Sequence, residues 1–539
     1  MTLPQLFLYS IIAIDIAVFF KIFEKAGIEK WKAFVPGYNL FCWLKMMEKP
    51  WWWLFLFIFP GVNFLMFIIL NVELSKTFGL RKATDFAIAI LLPHVMVLKI
   101  AFSKEVKFVG APDYSNVKRG SISDWSSAII FALIAAAIIR SYTFEAFTIP
   151  TGSMERSLRI GDFLFVNKTA YGPKVPNTPL YLPIVHNTIP VVGTKSYLEW
   201  FEMGYTRLPG FGKVERNDVV VFNFPAGDTA INHPELVAHT YNQILRDRAY
   251  SVYMNERRGN GNVYDFEKVK SRYISYVKQQ LEDEYGLITR PVDKRENYIK
   301  RCVGLPGDSI EIIDGKVYFN GKLNPVDDES MYNYTVELKT PVMFREDVLK
   351  DEFGLYVSEQ KAEAYFNGQT VSMPLTKEKL ELVKKNPNVS NVVVETKPKG
   401  YYAHPQVGRH CPIFPNDVAF ADWTEDNMGP FYLPKKGDNI ELTKENLIFY
   451  RRAIEAYEKN KVEIKGEQIF INDELATHYT FKMGYYWLMG DNRHNSADSR
   501  MWGYVPEDHV VGRASFVWMS WDPDYSFTPR WNRFFKSIN

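Results

Sequence analysis

Two residues 147 positions apart could form a reactive pair: Ser153 in "FTIPTGSMERSLRIGDFLFV" and Lys300 in "YIKRCVGLPGDSIEI". A serine hydroxyl attacks a carbonyl only when a neighbour takes its proton. Ile149-Pro150 stiffens the approach to Ser153, and Gly152 lets the backbone bend close to a substrate carbonyl. Serine after glycine also occurs in many ordinary turns, so Ser153 alone specifies no catalysis. Its base has to be found elsewhere. Of the nine histidines, His94 lies in an apolar stretch, while His233, His404, His410 and His478 lie in irregular surroundings. Only His494, in "GDNRHNSADSR", sits in a motif-dense segment, and a Ser-His-Asp triad finds no clear support. No His/Cys/Asp spacing fits a zinc site, so neither a metal nor another cofactor is expected. A lysine serves as base only when neutral, which requires its pKa of about 10.4 to fall by burial. Lys300 offers this, flanked by Ile299 and Cys302-Val303 at the start of a strand. Strand alternation then sends Arg301 to the other face, where its permanent charge calls for a carboxylate.

These residues have to be positioned by a chain of 539 residues, long enough for more than one domain. Its 64 basic and 62 acidic residues nearly cancel, so no nucleic acid or other large polyanion is implied as a partner. Four apolar stretches, Pro4–Phe20, Trp51–Asn71, Thr84–Phe102 and Trp125–Tyr142, predict a membrane domain over residues 1–145 with about four helices. Lysine and arginine are denser in the loops after the first and third stretches than after the second, which places residues after Tyr142 on the outer side. Beyond Glu145 short apolar runs alternate with turn residues, as in "DFLFVNK", "NDVVVFNFP" and "YYWLMGD", and predict a mostly-β domain over 146–539. Less regular stretches at about 226–296 and 325–460 read as an inserted α+β subdomain. They contain two helical patterns, "YDFEKVKSRYISYVKQQLEDEYG" and "TKENLIFYRRAIEAYEKN". An internal echo, "IEIIDGKVYFNGKLNP" against "VEIKGEQIFINDELAT", reads as two sister hairpins. Of the three cysteines, Cys302 and Cys411 could pair outside the cytoplasm; the plainer reading is buried thiols.

The blocks "TGSM", "GDFLFVNKTAYG", "DVVVFNFP", "YIKRCVGLPGD" and "GDNRHNSADSRMWGYVPEDHVVGRA", in this order, resemble bacterial type I signal peptidase. The resemblance implies a membrane-anchored Ser/Lys endopeptidase acting at the outer face of the cytoplasmic membrane. Its partners would be the signal peptides of exported preproteins, the lipid bilayer and the secretion translocon. It also implies Ser153 as nucleophile, Lys300 as general base and Ser496 as the hydroxyl that orients the lysine amine. Thr151 would join the Ser153 backbone N–H in an oxyanion hole. Arg301 with Asp491, and Asp498 with Arg500, would form structural ion pairs. Phe147, Ile149, Met154 and Ile299 would line shallow apolar pockets that admit small side chains. Two positions depart from the family pattern: Arg156 where proline is frequent, and His494 where an acid is frequent.

Two other readings compete. The Ser-x-x-Lys pattern at Ser358–Lys361 suits a penicillin-binding acyl transferase, but no Ser-x-Asn or Lys-Thr-Gly partner accompanies it. A membrane-tethered β-rich binding or assembly protein with an inactive peptidase fold is the non-enzymatic alternative.

Overall fold

The structure is a computed structural model. It describes residues 17–60, 62–112, 121–182, 185–190, 192–200, 202–227, 229–231, 240–257, 263–325, 330–340, 366–367, 369–403, 411–523 and 528–538. The chain divides into two compact units, residues 1–143 with 174–207, and residues 144–173 with 208–539.

The helical unit does not clearly show the expected membrane domain of about four transmembrane helices. Among the described residues no single helix is long and apolar enough to cross a membrane. The first predicted span lies almost wholly outside the described residues. The second breaks into a short helix, Trp53–Leu56, and the helix Val62–Thr77. The third is a bent pair, Ala83–Leu91 and Pro93–Phe102, turned by 119°. Pro93 supplies no N–H and crowds the preceding turn, so it opens a new helix instead of extending the old one. The fourth falls in the helix Ser121–Tyr142, whose apolar part is Ala128–Tyr142. Two carboxylates of this unit are paired: Glu73 meets Lys49 at 2.6 Å and Lys76 at 2.7 Å, and Asp85 meets Lys99 at 2.8 Å. Residues 174–207 were expected in the β part, yet they group with the helices. There Tyr181 donates to the Pro60 carbonyl at 3.3 Å and meets the Ser141 hydroxyl at 3.1 Å.

The second unit is built on an antiparallel sheet of β1 (Phe144–Thr148), β2 (Asp162–Asn167), β3 (Val219–Asn223), β4 (Asn297–Gly304), β5 (Tyr485–Met489) and β6 (Val510–Asp522). The spatial order is β1-β2-β6-β3-β4-β5, with Val505–Pro506 at the β5 edge. β2 alternates buried and half-buried residues, as one packed face requires, while all of β3 is buried, as befits a central strand. In register Val220 faces Lys300 across β3 and β4, and Met489 faces Arg301 across β5 and β4. This mostly-β core agrees with the sequence reading.

The echo is a structural repeat. Strands Ser309–Ile313, Lys316–Phe319 and Lys322–Leu323 run in succession in a four-stranded sheet completed by Met428–Tyr432, and Val462–Lys465, Gln468–Ile471 and Glu474–Leu475 form a three-stranded one. The second turns match as well. Asn320 and Asn472 both sit at positive φ, and each accepts the backbone N–H eleven residues upstream, from Ser309 and Lys461, at 2.9 Å. Both helical patterns also form, as Val263–Tyr285 and Lys444–Arg452, the latter opened by a Thr443–Asn446 capping box.

The stretch 325–460 behaves as two parts, not as one insertion. Tyr332–Leu338, Thr370–Leu375 and Val389–Val394 join Phe366–Asn367 in a four-stranded sheet that packs its own core with the helix Lys377–Lys384. Residues 411–460 instead supply Phe414, Trp423, Met428, Phe431 and Tyr450 to the main core around Trp487 and Tyr504. Their apolar side chains look irregular along the chain because they meet the core from turns and short strands.

Candidate active site

Ser153 lies in a single 3-10 turn, Gly152–Met154, between β1 and β2. β4 carries Lys300 to it: Lys300 Nζ donates to Ser153 Oγ at 2.7 Å and to the Ile299 carbonyl at 3.0 Å. The lysine is 3% exposed. Burial lowers its pKa to about 8, opposed by Asp498 and Asp491 and assisted by Arg500. About a tenth of the amine is therefore neutral at pH 7 and more as pH rises, and a neutral amine is what can accept a hydroxyl proton. The hydroxyl and amine that sequence reasoning singled out 147 residues apart meet at hydrogen-bonding distance.

Arg301 points away from Lys300, as alternation requires, into a buried ion pair with Asp491. Its Nε donates to Oδ1 at 2.7 Å and a terminal nitrogen donates to Oδ2 at 2.8 Å. Ser157 also donates to Asp491 at 2.5 Å, and the guanidinium donates to the Asn217 carbonyl at 2.7 Å. Burial alone would raise the Asp491 pKa; the bonds from Arg301 overcome this and hold it low. Asp498 and Arg500 form the second pair, with Nε to Oδ1 and a terminal nitrogen to Oδ2 both 2.8 Å. Asp498 also caps the short helix Ser499–Trp502 and accepts the Gly490 N–H at 3.1 Å. Both expected pairs are thus present and buried.

Other expectations fare differently. Ser496 was expected to orient the lysine amine, but the amine's second partner is the Ile299 carbonyl. The Ser496 hydroxyl makes no well-formed hydrogen bond, though it lies near enough to Asp498 to help hold that carboxyl low. Ser496 packs instead on Gly490, where an added Cβ would come within 2.3 Å of its Oγ and 2.5 Å of the Ser153 carbonyl. Thr151 is exposed, in extended backbone next to the turn, and its hydroxyl caps nothing. Of the four pocket residues, Ile149 and Met154 are buried in one apolar cluster with Leu164, Val219 and Val221. Phe147 and Ile299 lie partly buried on its margin, so these two can meet a substrate while the buried pair supports them. Arg156 sits at φ +99°, a conformation that proline's ring, fixed near −65°, cannot take. A proline at 156 would therefore require a different turn here. Cys302 and Cys411 are both free and buried, which settles the choice between pairing and packing. Among the described residues no group of His, Cys, Asp or Glu could hold a metal ion. His233, His404, His410 and the Ser358–Lys361 pattern lie outside the described residues.

Sequence reasoning missed Asn492. Its backbone N–H donates to the Ser153 carbonyl at 3.1 Å, and its side-chain amide donates to the Gly152 carbonyl at 3.4 Å. It fastens the serine turn to the loop after β5. Its place beside Asp491 in a motif-dense segment was the only available signal.

Comparison with known families bears directly on this geometry. A family model described as "Signal peptidase, peptidase S26" matches residues 122–396 and 435–521. The chain belongs to this family. Its signal peptidase region includes both members of the Ser153–Lys300 contact and most of the stretches read as insertions, but not residues 397–434. A second model, of a family of unknown function, matches residues 31–111. Among curated proteins, "Signal peptidase I" of Haemophilus influenzae is 26% identical over 420 residues, covering 77% of this chain and 76% of its own. "Signal peptidase I" of Pseudomonas aeruginosa is 22% identical over 427 residues, covering 77% and 79%. That of Buchnera aphidicola from Acyrthosiphon pisum is 23% identical over 397 residues, covering 74% of each.

Proposed function

We propose that the chain is a signal peptidase I, a serine endopeptidase that cuts signal peptides from exported preproteins after small residues. The observation that carries this is the 2.7 Å contact of a buried, pKa-depressed lysine with the Ser153 hydroxyl. In the proposed cycle neutral Lys300 takes the hydroxyl proton as Ser153 Oγ attacks the scissile carbonyl. Negative charge then gathers on the carbonyl oxygen. The Ser153 N–H and the exposed Thr151 hydroxyl are the donors nearest in sequence to receive it. Lys300 next passes the proton to the leaving amine, and water hydrolyses the Ser153 ester with the lysine again as base. The Ile299 carbonyl, by holding the amine, does the orienting expected of Ser496.

We place this reaction at the outer face of the cytoplasmic membrane. The bent pair Ala83–Leu91 and Pro93–Phe102 and the apolar helix Ala128–Tyr142 support membrane attachment, and the last leads within eleven residues to Ser153. A cleavage point emerging from the bilayer would meet the nucleophile there.

The specificity follows from the partly buried margin formed by Phe147 and Ile299. Replacing the alanine just before the cut with phenylalanine in a preprotein is expected to lower kcat/KM at least a hundredfold. Equal cleavage of the phenylalanine substrate overturns the assignment.

A further inference from the structure

We propose that His494 and Asp426 are positioning residues that seat the loop carrying Asn492 against the nucleophile. This rests on Ser153 being the nucleophile. His494 Nδ1 accepts the backbone N–H of Asn333 at 3.0 Å, so this nitrogen is unprotonated. The proton is then on Nε2, which donates to Asp426 Oδ1 at 3.0 Å. Asp426 is 1% exposed, and its other oxygen accepts the Lys397 backbone N–H at 2.8 Å. Burial would raise the Asp426 carboxyl pKa, but the hydrogen bonds from His494 and the Lys397 N–H, with the charge of Arg500, hold it low, so it faces the histidine as a carboxylate.

The same loop is gripped beside this pair. Met331 donates to the Asp491 carbonyl at 2.9 Å, and Arg493 donates back to the Met331 carbonyl at 2.8 Å. Asn492, between them, holds both carbonyls of the Gly152-Ser153 turn. A continuous chain of bonds therefore runs from Asp426 through His494 and Asn333 to Met331, Asn492 and Ser153.

Asp426 lies in 397–434, the stretch the family model does not match, whereas His494 lies in a matched one. An acid at 494 would oppose the buried Asp426 carboxylate at close range, and like charges so placed are costly. A neutral histidine presents an acceptor to Asn333 and a donor to Asp426, which a carboxylate cannot. The segment containing Asp426 and the loop carrying His494 are thus chemically matched.

The test is a charge-conflict rescue, read as steady-state cleavage of a preprotein with an Ala-x-Ala site by the full-length protein in detergent. His494→Asp is expected to lower kcat tenfold or more with KM within twofold, since small displacements of a nucleophile are expensive. Adding Asp426→Asn supplies an amide donor to the new carboxylate and should restore kcat to within threefold of wild type. Asp426→Ala, which introduces no charge, should lower kcat about fivefold with the Lys300-dependent pH midpoint unchanged. Wild-type kcat in His494→Asp, a double variant no better than the single, or undiminished kcat in Asp426→Ala would overturn the proposal. Inert wild-type protein would instead count against the peptidase reading.

Discussion

Lys300→Met should be catalytically dead and more stable than wild type. Methionine keeps the length and apolar stem of lysine but removes the amine bonded to Ser153 Oγ. Without a proton acceptor the hydroxyl is an ordinary alcohol, and loss of one member of such a unit costs about 10⁴-fold or more in kcat. The stability change has the opposite sign. Lys300 is lowered from 10.5 to about 8 by burial, so below pH 8 the folded protein carries a charge it disfavours. Two and a half pKa units correspond to about 3 kcal/mol, relieved by methionine at pH 7 and progressively absent as pH rises towards 10.5. Parallel cleavage assays and thermal melts at pH 7 and pH 10 check both halves. Retention of more than about one hundredth of the activity would remove Lys300 as the base.

Asp491→Ala should act through stability first. Arg301 is 2% exposed and Asp491 fully buried, and together with Ser157 they share a set of hydrogen bonds. Removing the carboxylate leaves a guanidinium without its counter-charge in the interior, a change that costs about 3–5 kcal/mol. Asp491→Asn should cost less, because the amide oxygen still accepts from one guanidinium nitrogen. Thermal unfolding of the two variants beside wild type measures this. An unchanged melting temperature in Asp491→Ala would mean that the pair is not a structural brace, and that Arg301 finds another acceptor.

The part of this site that sequence could reveal follows from short-range rules. Period-two alternation alone separates Lys300 from Arg301, and the structure sends one to Ser153 and the other to Asp491. Repeated turn residues disclosed the sister hairpins, because Asn320 and Asn472 each do the same local job. Contacts between distant segments left no such trace. Asn492 reaches residues some 340 positions away, and His494 meets Asp426 across 68. Neither spacing follows from any local periodicity. For Ser496, residue type and motif order do not specify which acceptors a lysine amine finds, and here the amine donates to the Ile299 carbonyl as well as to Ser153. In the helical unit apolar length outweighed Pro93, although proline's effect on the preceding turn was readable from the outset. Residues 411–460 looked peripheral because core side chains delivered from turns carry no period, yet Phe414 and Phe431 pack on Trp487.

The most direct test of a Ser153 nucleophile activated by a buried lysine is the pH dependence of kcat/KM for an Ala-x-Ala preprotein. This profile reports the ionisation of the free enzyme. Protonated Lys300 cannot accept the serine proton, so cleavage should rise with pH through a midpoint near 8 and level off above it. Activity that is greatest near pH 6 and falls steadily towards pH 9 would contradict a lysine base.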